Sequence, residues 1–316
     1  LFRSSLSRSI IFTSLILAAV LAALIAPRAA DAAADPVLTA IAAASKSNKI
    51  TFAETKALRA TWLASGSAAK RAPSAQRRKE IATVRAYTAN LARRRMLTPD
   101  RLEPVLLSVK ATTHVMRYVK PFPRHEQTMT IPGELAVFKY YSGRGVQWQP
   151  FESFKQAMGL VTVPIPATQQ AREYAERMLE LAVPRNGALT WEYYFPFGGP
   201  ASPWTSSLSQ SLATEFFQRV ASQLQLVVTY PDDEYIESGA PPVTKQEIAQ
   251  LTAAGEQAMR SFVLAPARGG VAVGAGSGRW YLLYPFNSRQ RILNGHLQVL
   301  INVQRVADVT KSPMAQ

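Results

Sequence analysis

The sequence lacks cysteine altogether and contains three histidines, His114, His125 and His296. Disulfides and thiolate metal sites are therefore excluded, and a histidine-rich metal site is not expected. Charged residues make up 18% and hydrophobic residues 47% of the 316 residues, which is typical of a globular chain and not of a disordered one. We expect neither a cofactor nor a metal ion.

The N-terminus has the pattern of an export signal. Arg3 and Arg8 precede an apolar run over residues 10–26, and small residues follow around Ala32. This order predicts a secretory signal peptide over residues 1–33. The alternative is a retained membrane anchor, because spanning segments begin at roughly 17 residues. In both cases we expect an exported protein, which is secreted, periplasmic or on the cell surface.

Acidic residues are scarce in one part of the chain. Residues 46–125 hold 18 Lys and Arg against four Asp and Glu, a net charge of +14, whereas residues 126–316 are neutral. Such a run can be a set of solvated helix faces. It can also bind a polyanion, and nucleic acid is the usual partner of a basic patch. An exported protein rarely meets nucleic acid, so we expect an acidic polysaccharide instead. A homodimer is left open.

The patterning predicts a mainly α-helical chain. Residues 34–117 form a basic helical segment with thinly spaced apolar residues, so its helices are expected to lie on the surface. Prolines and glycines punctuate short strands and loops over 118–150. Helices in series follow over 151–316, including 151–161, 168–182 and 292–307. Aromatic loops lie between them, which suggests an (α/α) toroid of helical hairpins whose loop ends line one cleft.

Several motifs have a structural alternative to a functional role. The glycine-rich stretch 269–278 lacks the G-x-G-x-x-G spacing and is expected to be a flexible connector. Ser206 has no nucleophile-elbow motif around it and is expected to cap a helix. Thr244 and Glu247 predict a capping box. The acidic residues around Asp232 are more typical of a solvated loop than of a cation site.

Three blocks of sequence together resemble one family. They are YYSGRGVQWQPFESFKQAMGL (140–160), PWTSSLSQSLATEFFQR (203–219) and WYLLYPFNSRQRILNGHLQVLINVQRVAD (280–308). In this order they resemble the C-terminal catalytic domain of the D-glucuronyl C5-epimerases, over roughly residues 134–310. The resemblance implies an (α/α) barrel that acts on glucuronate in an extracellular acidic polysaccharide.

The implied reaction removes a proton beside the sugar carboxylate and returns it on the other face. It needs a base, an acid and cations that hold the enolate-like charge. Tyr284 matches a family tyrosine assigned to proton transfer. Arg279, Arg289 and Arg291 are near it in sequence, and we expect them to hold the carboxylate or to lower the tyrosine pKa.

The remaining substrate-binding candidates come from the matching blocks and the neighbouring loops. The full set is Arg144, Gln147, Tyr194, Trp204, Gln210, Arg279, Tyr281, Arg289, Asn294 and His296. Some have ordinary structural explanations: Asn294 can cap a helix, Tyr281 can be a core aromatic, and a lone histidine such as His296 is more often a satisfied, half-buried side chain than a base.

The chain departs from the family pattern in two ways. Leu283 stands where the family usually has an acidic residue, and family members continue past the last helix with further catalytic tyrosines and an arginine. The resemblance therefore implies a protein that is either truncated at its C-terminus or catalytically impaired, with an incomplete barrel that exposes apolar surface on 292–307. If the protein continues beyond residue 316, epimerisation is the expected activity. Two alternatives remain: a non-catalytic binder of anionic cell-wall glycan, in which Trp148, Trp191, Trp204 and Trp280 stack on sugars, and a polysaccharide lyase.

Overall fold

A computed structural model describes residues 35–162, 168–198, 203–230 and 241–310. The prediction of a mainly helical chain is confirmed, and nine α-helices lie within these ranges. The predicted signal peptide and the acidic loop around Asp232 lie outside the described residues. Within the described ranges, no helix is long and apolar enough to cross a membrane.

Four helices come first in the chain: α1 (Pro36–Lys46), α2 (Phe52–Arg71), α3 (Ala75–Arg93) and α4 (Pro99–Tyr118). Polar side chains fix where the first three begin. Asp35 and Ser74 accept backbone N–H groups of α1 and α3, and Thr51 forms a reciprocal capping box with Glu54. The helices pack on one another, with α4 against both α2 and α3.

The expectation that these helices lie on the surface is wrong. Trp62, Ile81 and Leu102 are almost fully buried in the main hydrophobic core. That core is one connected cluster from Val37 to Ala258, so it joins the basic helical segment to the later helices. Widely spaced apolar residues suffice here because each helix contributes a narrow stripe to a shared core.

A three-stranded antiparallel sheet comes after α4. It consists of β1 (Thr128–Met129), β2 (Phe138–Tyr141) and β3 (Gly145–Trp148), in that order. The outer edge of β3 is covered by α4. The Thr112 hydroxyl accepts from Val146 N at 2.9 Å and donates to Val146 O at 3.0 Å, and the Ser108 hydroxyl accepts from Trp148 N at 3.1 Å. These hydroxyl groups bond the backbone of β3 where a neighbouring strand would otherwise pair with it, and they attach the sheet to α4.

The second half of the chain is organised around one long helix. Its elements are α5 (Pro150–Leu160), α6 (Thr168–Glu180), β4 (Val183–Arg185), β5 (Ala188–Thr190), α7 (Ser207–Thr229), α8 (Lys245–Met259), β6 (Ala272–Ala275), β7 (Gly278–Tyr281) and α9 (Leu293–Thr310). Helix α7 packs against α5, α6, α8 and α9. Fourteen of its residues are buried, including the adjacent Phe216 and Phe217.

Two local predictions need correction in this half. The glycine-rich stretch is not a connector, because β6 and β7 pair there as an antiparallel hairpin. Ser206 is the N-cap residue of α7, but its side chain makes no capping hydrogen bond. The capping box predicted for Thr244 and Glu247 is present in one half: the Thr244 hydroxyl accepts from Glu247 N at 3.1 Å, whereas the Glu247 carboxylate accepts from Arg172 Nε at 2.7 Å.

Helix α9 is apolar on two sides. Val299 and Val306 are buried in a second, smaller core with Phe262. On the other side Leu293, Leu297, Leu300 and Ile301 are exposed. The expectation that this helix presents apolar surface is therefore confirmed.

The turn between β2 and β3 provides a stability test with a matched control. Gly145 has φ +76°, and a Cβ there would lie 2.3 Å from Val84 Cγ2. Gly143 has φ +74° and no atom within 4 Å of such a Cβ. We expect Gly145→Ala to lower the free energy of unfolding by about 2–4 kcal/mol and Gly143→Ala by about 1 kcal/mol, in denaturant titrations. Equal losses of unfolding free energy in the two variants would show that α3 moves away from the added methyl group at no cost in stability.

Candidate functional site

An open cleft of about 130 Å³ lies where the N-terminal ends of α5 and α7 meet the end of β2 and the residues after β7. We call it the aromatic cleft, because rings form most of its wall. Its aromatic lining residues are Tyr141, Phe151, Tyr193, Phe195, Phe197, Trp204 and Tyr284. Its polar lining residues are Lys139, Gln149, Glu152 and Ser206.

The aromatic wall is held by backbone pairing and ring stacking. Tyr193 and Trp204 exchange backbone hydrogen bonds of 2.7 and 3.1 Å, and their rings stack at 4.2 Å between centroids. Tyr284 stacks on Phe197 at 5.5 Å. Phe195 accepts a hydrogen bond from Trp204 Nε1 through its carbonyl at 3.0 Å. Tyr193, Phe195 and Trp204 are buried in this array, so the half-buried rings of Phe151, Phe197 and Tyr284 are the ones that can contact the apolar face of a sugar ring.

Charge and hydrogen-bonding groups lie on the side of the cleft formed by β2 and α5. Lys139 Nζ and Glu152 Oε1 form an ion pair at 2.6 Å. Gln149, at the N-cap of α5, is 5% exposed, and its amide nitrogen has no hydrogen-bond partner among the described residues. A buried donor left in this state costs about 1–3 kcal/mol. A ligand oxygen bound in the cleft would remove that cost.

Three tyrosines line the cleft. The Tyr193 hydroxyl is hydrogen-bonded to the Ser209 hydroxyl at 2.8 Å and accepts from Phe151 N at 3.3 Å, and the pKa values of the other two run against the expectation from the sequence. Burial raises the pKa of Tyr284, and the nearby Glu126 carboxylate raises it further. Burial also raises the pKa of Tyr141. The expectation that arginine lowers the pKa of Tyr284 is therefore wrong. Both side chains are neutral phenols at neutral pH, which suits them to donate a proton and not to remove one.

The predicted site residues fall into separate places. Tyr284 and Trp204 line the aromatic cleft. Arg144 lies at its rim, with its guanidinium carbon 5.8 Å from the centroid of the Phe197 ring.

Three other candidates lie in the interior. Gln210 is fully buried, where its side chain accepts from Trp191 N and donates to Leu189 O, both at 3.0 Å. Gln147 donates to the carbonyl of Arg144 and so closes the β2–β3 turn. Tyr194 is buried, and the Glu192 carboxylate adds to burial in raising its pKa. Their side chains position loops around the cleft.

The last five candidates lie on or next to β7 and α9, and one of them, Tyr281, packs against Phe262 and His296. His296 stacks on Trp280 at 4.3 Å and accepts from Tyr281 N at 3.3 Å. Burial lowers the pKa of His296. Asn294 is exposed and accepts from Gly295 N at 2.9 Å. Arg279 is likewise exposed.

Arg289 is exposed in the turn before α9. Arg291 donates to the Gly274 carbonyl at 3.3 Å and lies over the ring of Trp280, so it contacts the β6–β7 hairpin. The arginines that we expected around Tyr284 are thus absent from the described residues that line the cleft.

The tryptophans proposed to bind sugars are not equivalent either. Trp148 and Trp191 are buried core residues, at 2% and 0% exposure, so their faces cannot reach a ligand. Trp280 is covered by His296 on one face. Trp204 is the one among the four that lines the cleft, but it is 6% exposed and its ring is stacked with Tyr193 and Phe197, so it supports the wall of the cleft.

Sequence reasoning missed Lys139, Tyr141, Gln149 and Glu152. A signal for two of them was present, because Lys139 and Tyr141 are two residues apart in a predicted strand and so lie on one face. Gln149 and Glu152 flank a proline at the start of a predicted helix. Nothing in the sequence indicated that Glu152 would form an ion pair with Lys139.

A larger cavity of about 460 Å³ lies elsewhere, between α2, α4 and α6. Its floor is apolar, and its arginine, Arg177, is already bonded to Glu103, Glu134 and Glu180. We place the candidate site in the smaller aromatic cleft, because that cleft combines a buried unsatisfied donor with ring faces and hydroxyl groups. In the described part of the chain, no group of three or more His, Asp or Glu side chains could hold a metal ion.

Comparison with models of known families, with curated proteins and with solved structures gives no match for this chain. Inference about its function therefore depends on the geometry of the cleft.

Proposed function

We propose that this protein binds a glucuronate-containing polysaccharide in the aromatic cleft and transfers a proton at C5 of the sugar acid, as the C5-epimerases do. The observation that carries the proposal is the composition of the cleft. Ring faces, one ammonium group, a buried free amide and two neutral phenols converge there. These groups match an apolar sugar face, a carboxylate and a carbon acid that must be reprotonated.

We further propose that α5 to α9 belong to an (α/α) toroid. The packing of α5, α6, α8 and α9 around α7 supports this arrangement. The loops before α5 and α7 both reach the cleft, as they would at one end of a ring of helical hairpins.

The basic helical segment supports a polyanionic partner. Two of the four acids of residues 46–125 are used internally: Glu80 bonds the β2–β3 turn and Glu54 caps α2. A third, Glu103, pairs with Arg177. Fourteen Lys and Arg of residues 46–125 are exposed, and none of these side chains forms an ion pair with a described acid. We propose that this surface retains acidic glycan outside the cell, where the predicted signal would deliver the protein.

A non-catalytic binder is the second candidate, and one observation favours it. The raised pKa of Tyr284 leaves the expected proton acceptor as a neutral phenol. Binding through rings and cations needs no such acceptor.

The test is to incubate the purified chain with a heparosan-like glycan in deuterated water. We expect deuterium at C5 without cleavage of the glycan, and retention on a column of that glycan that salt reverses. New absorbance from an unsaturated product would identify a lyase instead. Retention without exchange would identify the binder, and absence of both would end the proposal.

A further inference from the structure

The aromatic cleft contains one charged pair whose partners face the same ligand space. Lys139 comes from β2 and Glu152 from the first turn of α5, and their side chains are 23% and 18% exposed. Among the described residues that line the cleft, Lys139 has the one positive charge and Glu152 the one negative charge. The pair is therefore not a part of the sealed core. It is accessible from the cleft, so a ligand can compete for either partner.

A sugar carboxylate is the natural competitor for Lys139. It carries the same charge and geometry as the Glu152 side chain. Gln149 lies beside the pair in sequence and in the lining of the cleft, with its buried amide nitrogen unsatisfied in the described structure. A carboxylate has two oxygens, and the ammonium and the amide can each donate to one of them. Glu152 alone engages Lys139 and leaves the amide of Gln149 free.

We propose that Lys139 and Gln149 form the carboxylate subsite for a hexuronate residue, and that the bound carboxylate displaces Glu152 from Lys139 so that Glu152 becomes the base that removes the C5 proton. This inference rests on the proposed function and supplies the acceptor that the neutral tyrosines lack.

Protons and electrons balance in this step. Glu152 takes the C5 proton, and the electrons of the C–H bond move into the C5–C6 bond to give an enediolate. The added negative charge lies on the two carboxylate oxygens, next to Lys139 and Gln149. A tyrosine phenol, Tyr284 or Tyr141, then donates a proton to C5 on the other face. The product leaves a neutral Glu152 and a phenolate, and exchange of protons with water restores both.

The test uses the full chain with two probes: heparosan, and heparosan in which each carboxylate is reduced to an alcohol. We expect the wild type to bind the acidic glycan at least tenfold more tightly than the reduced one. Lys139→Met should lower this preference at least fivefold, with the remainder due to the exposed basic side chains of residues 46–125, and Lys139→Arg should keep the wild-type preference because it keeps the charge. Glu152→Gln should bind the acidic glycan as well as the wild type or better, but should lose C5 deuterium exchange by about 100-fold or more.

Lys155→Met and Glu256→Gln are the matched controls, since both residues are exposed on helices outside the cleft lining. They should behave as the wild type. The inference is overturned if Lys139→Met keeps the full wild-type preference, or if Glu152→Gln exchanges deuterium at the wild-type rate. A wild type that binds the glycan but never exchanges would overturn the role of Glu152 as base. A wild type that does not bind would overturn the proposed function itself.

Discussion

Replacing Glu80 with alanine is expected to lower the free energy of unfolding by about 3–5 kcal/mol. Glu80 is 4% exposed in α3, and its carboxylate accepts three hydrogen bonds from the β2–β3 hairpin. The donors are the Tyr140 hydroxyl at 2.8 Å, Gly143 N at 2.8 Å and Gly145 N at 2.9 Å. Alanine would leave these donors without an acceptor in a site that water reaches poorly, and each such donor costs about 1–3 kcal/mol.

The measurement is equilibrium denaturation followed by circular dichroism, and two variants bracket the effect. Glu80→Gln keeps one acceptor oxygen but turns an amide group toward a backbone N–H, so an intermediate loss is expected. Glu54→Ala removes an exposed cap on α2 and should cost about 1 kcal/mol. A loss for Glu80→Ala no larger than that for Glu54→Ala would mean that the hairpin finds other partners.

Removal of the Glu80 carboxylate should also affect the aromatic cleft, because the β2–β3 hairpin that it holds places Tyr141 in the lining of the cleft and Arg144 at its rim. Glu80 is therefore, with Thr112 and Ser108, one of the side chains that connect the basic helical segment to the hairpin beside the candidate site. In the sequence, residues 34–117 and 118–150 have the patterns of two separate segments, so no local signal indicates this connection.

The helices were predictable from the sequence for definite reasons. Apolar residues at helical spacing mark α6 and α7, and the Thr244 cap marks the start of α8; these patterns depend on local geometry alone. The burial of α1 to α4 was not predictable in the same way. It depends on which faces meet, as when the guanidinium of Arg85 covers Trp62 at 3.6 Å from its ring and lets a basic helix pack inward.

The candidate site, too, has some residues that local sequence patterns indicate and others that only the tertiary structure brings together. Tyr284 and Trp204 were found because they lie in blocks with a recognisable pattern. Gln210 lies in such a block too, but its amide is occupied by the backbone of the preceding loop. Lys139 and Glu152 meet only because β2 runs back past the start of α5, which no local pattern encodes. The pKa of Tyr284 could not be inferred either, since it depends on burial and on the distances to charged groups.

Replacing Tyr284 with phenylalanine is expected to lower C5 deuterium exchange by about 10²–10⁴-fold, the usual contribution of a general acid. The ring would stay stacked on Phe197, so glycan binding should change little. Tyr281→Phe is the control, because Tyr281 is also half-buried but packs against Phe262 and His296 outside the cleft. Exchange is measured by mass spectrometry of the recovered glycan.

The pH dependence tests whether Tyr284 acts as the donor. A donor must be protonated, so its contribution is complete below its pKa and disappears as the pH rises through that value. Since burial and Glu126 raise the pKa of Tyr284, this loss should occur at a more alkaline pH than for an ordinary tyrosine. Exchange should therefore be insensitive to this group through neutral pH. Tyr284→Phe should lack the alkaline limb, and a variant that exchanges at the wild-type rate would show that Tyr284 is not the donor.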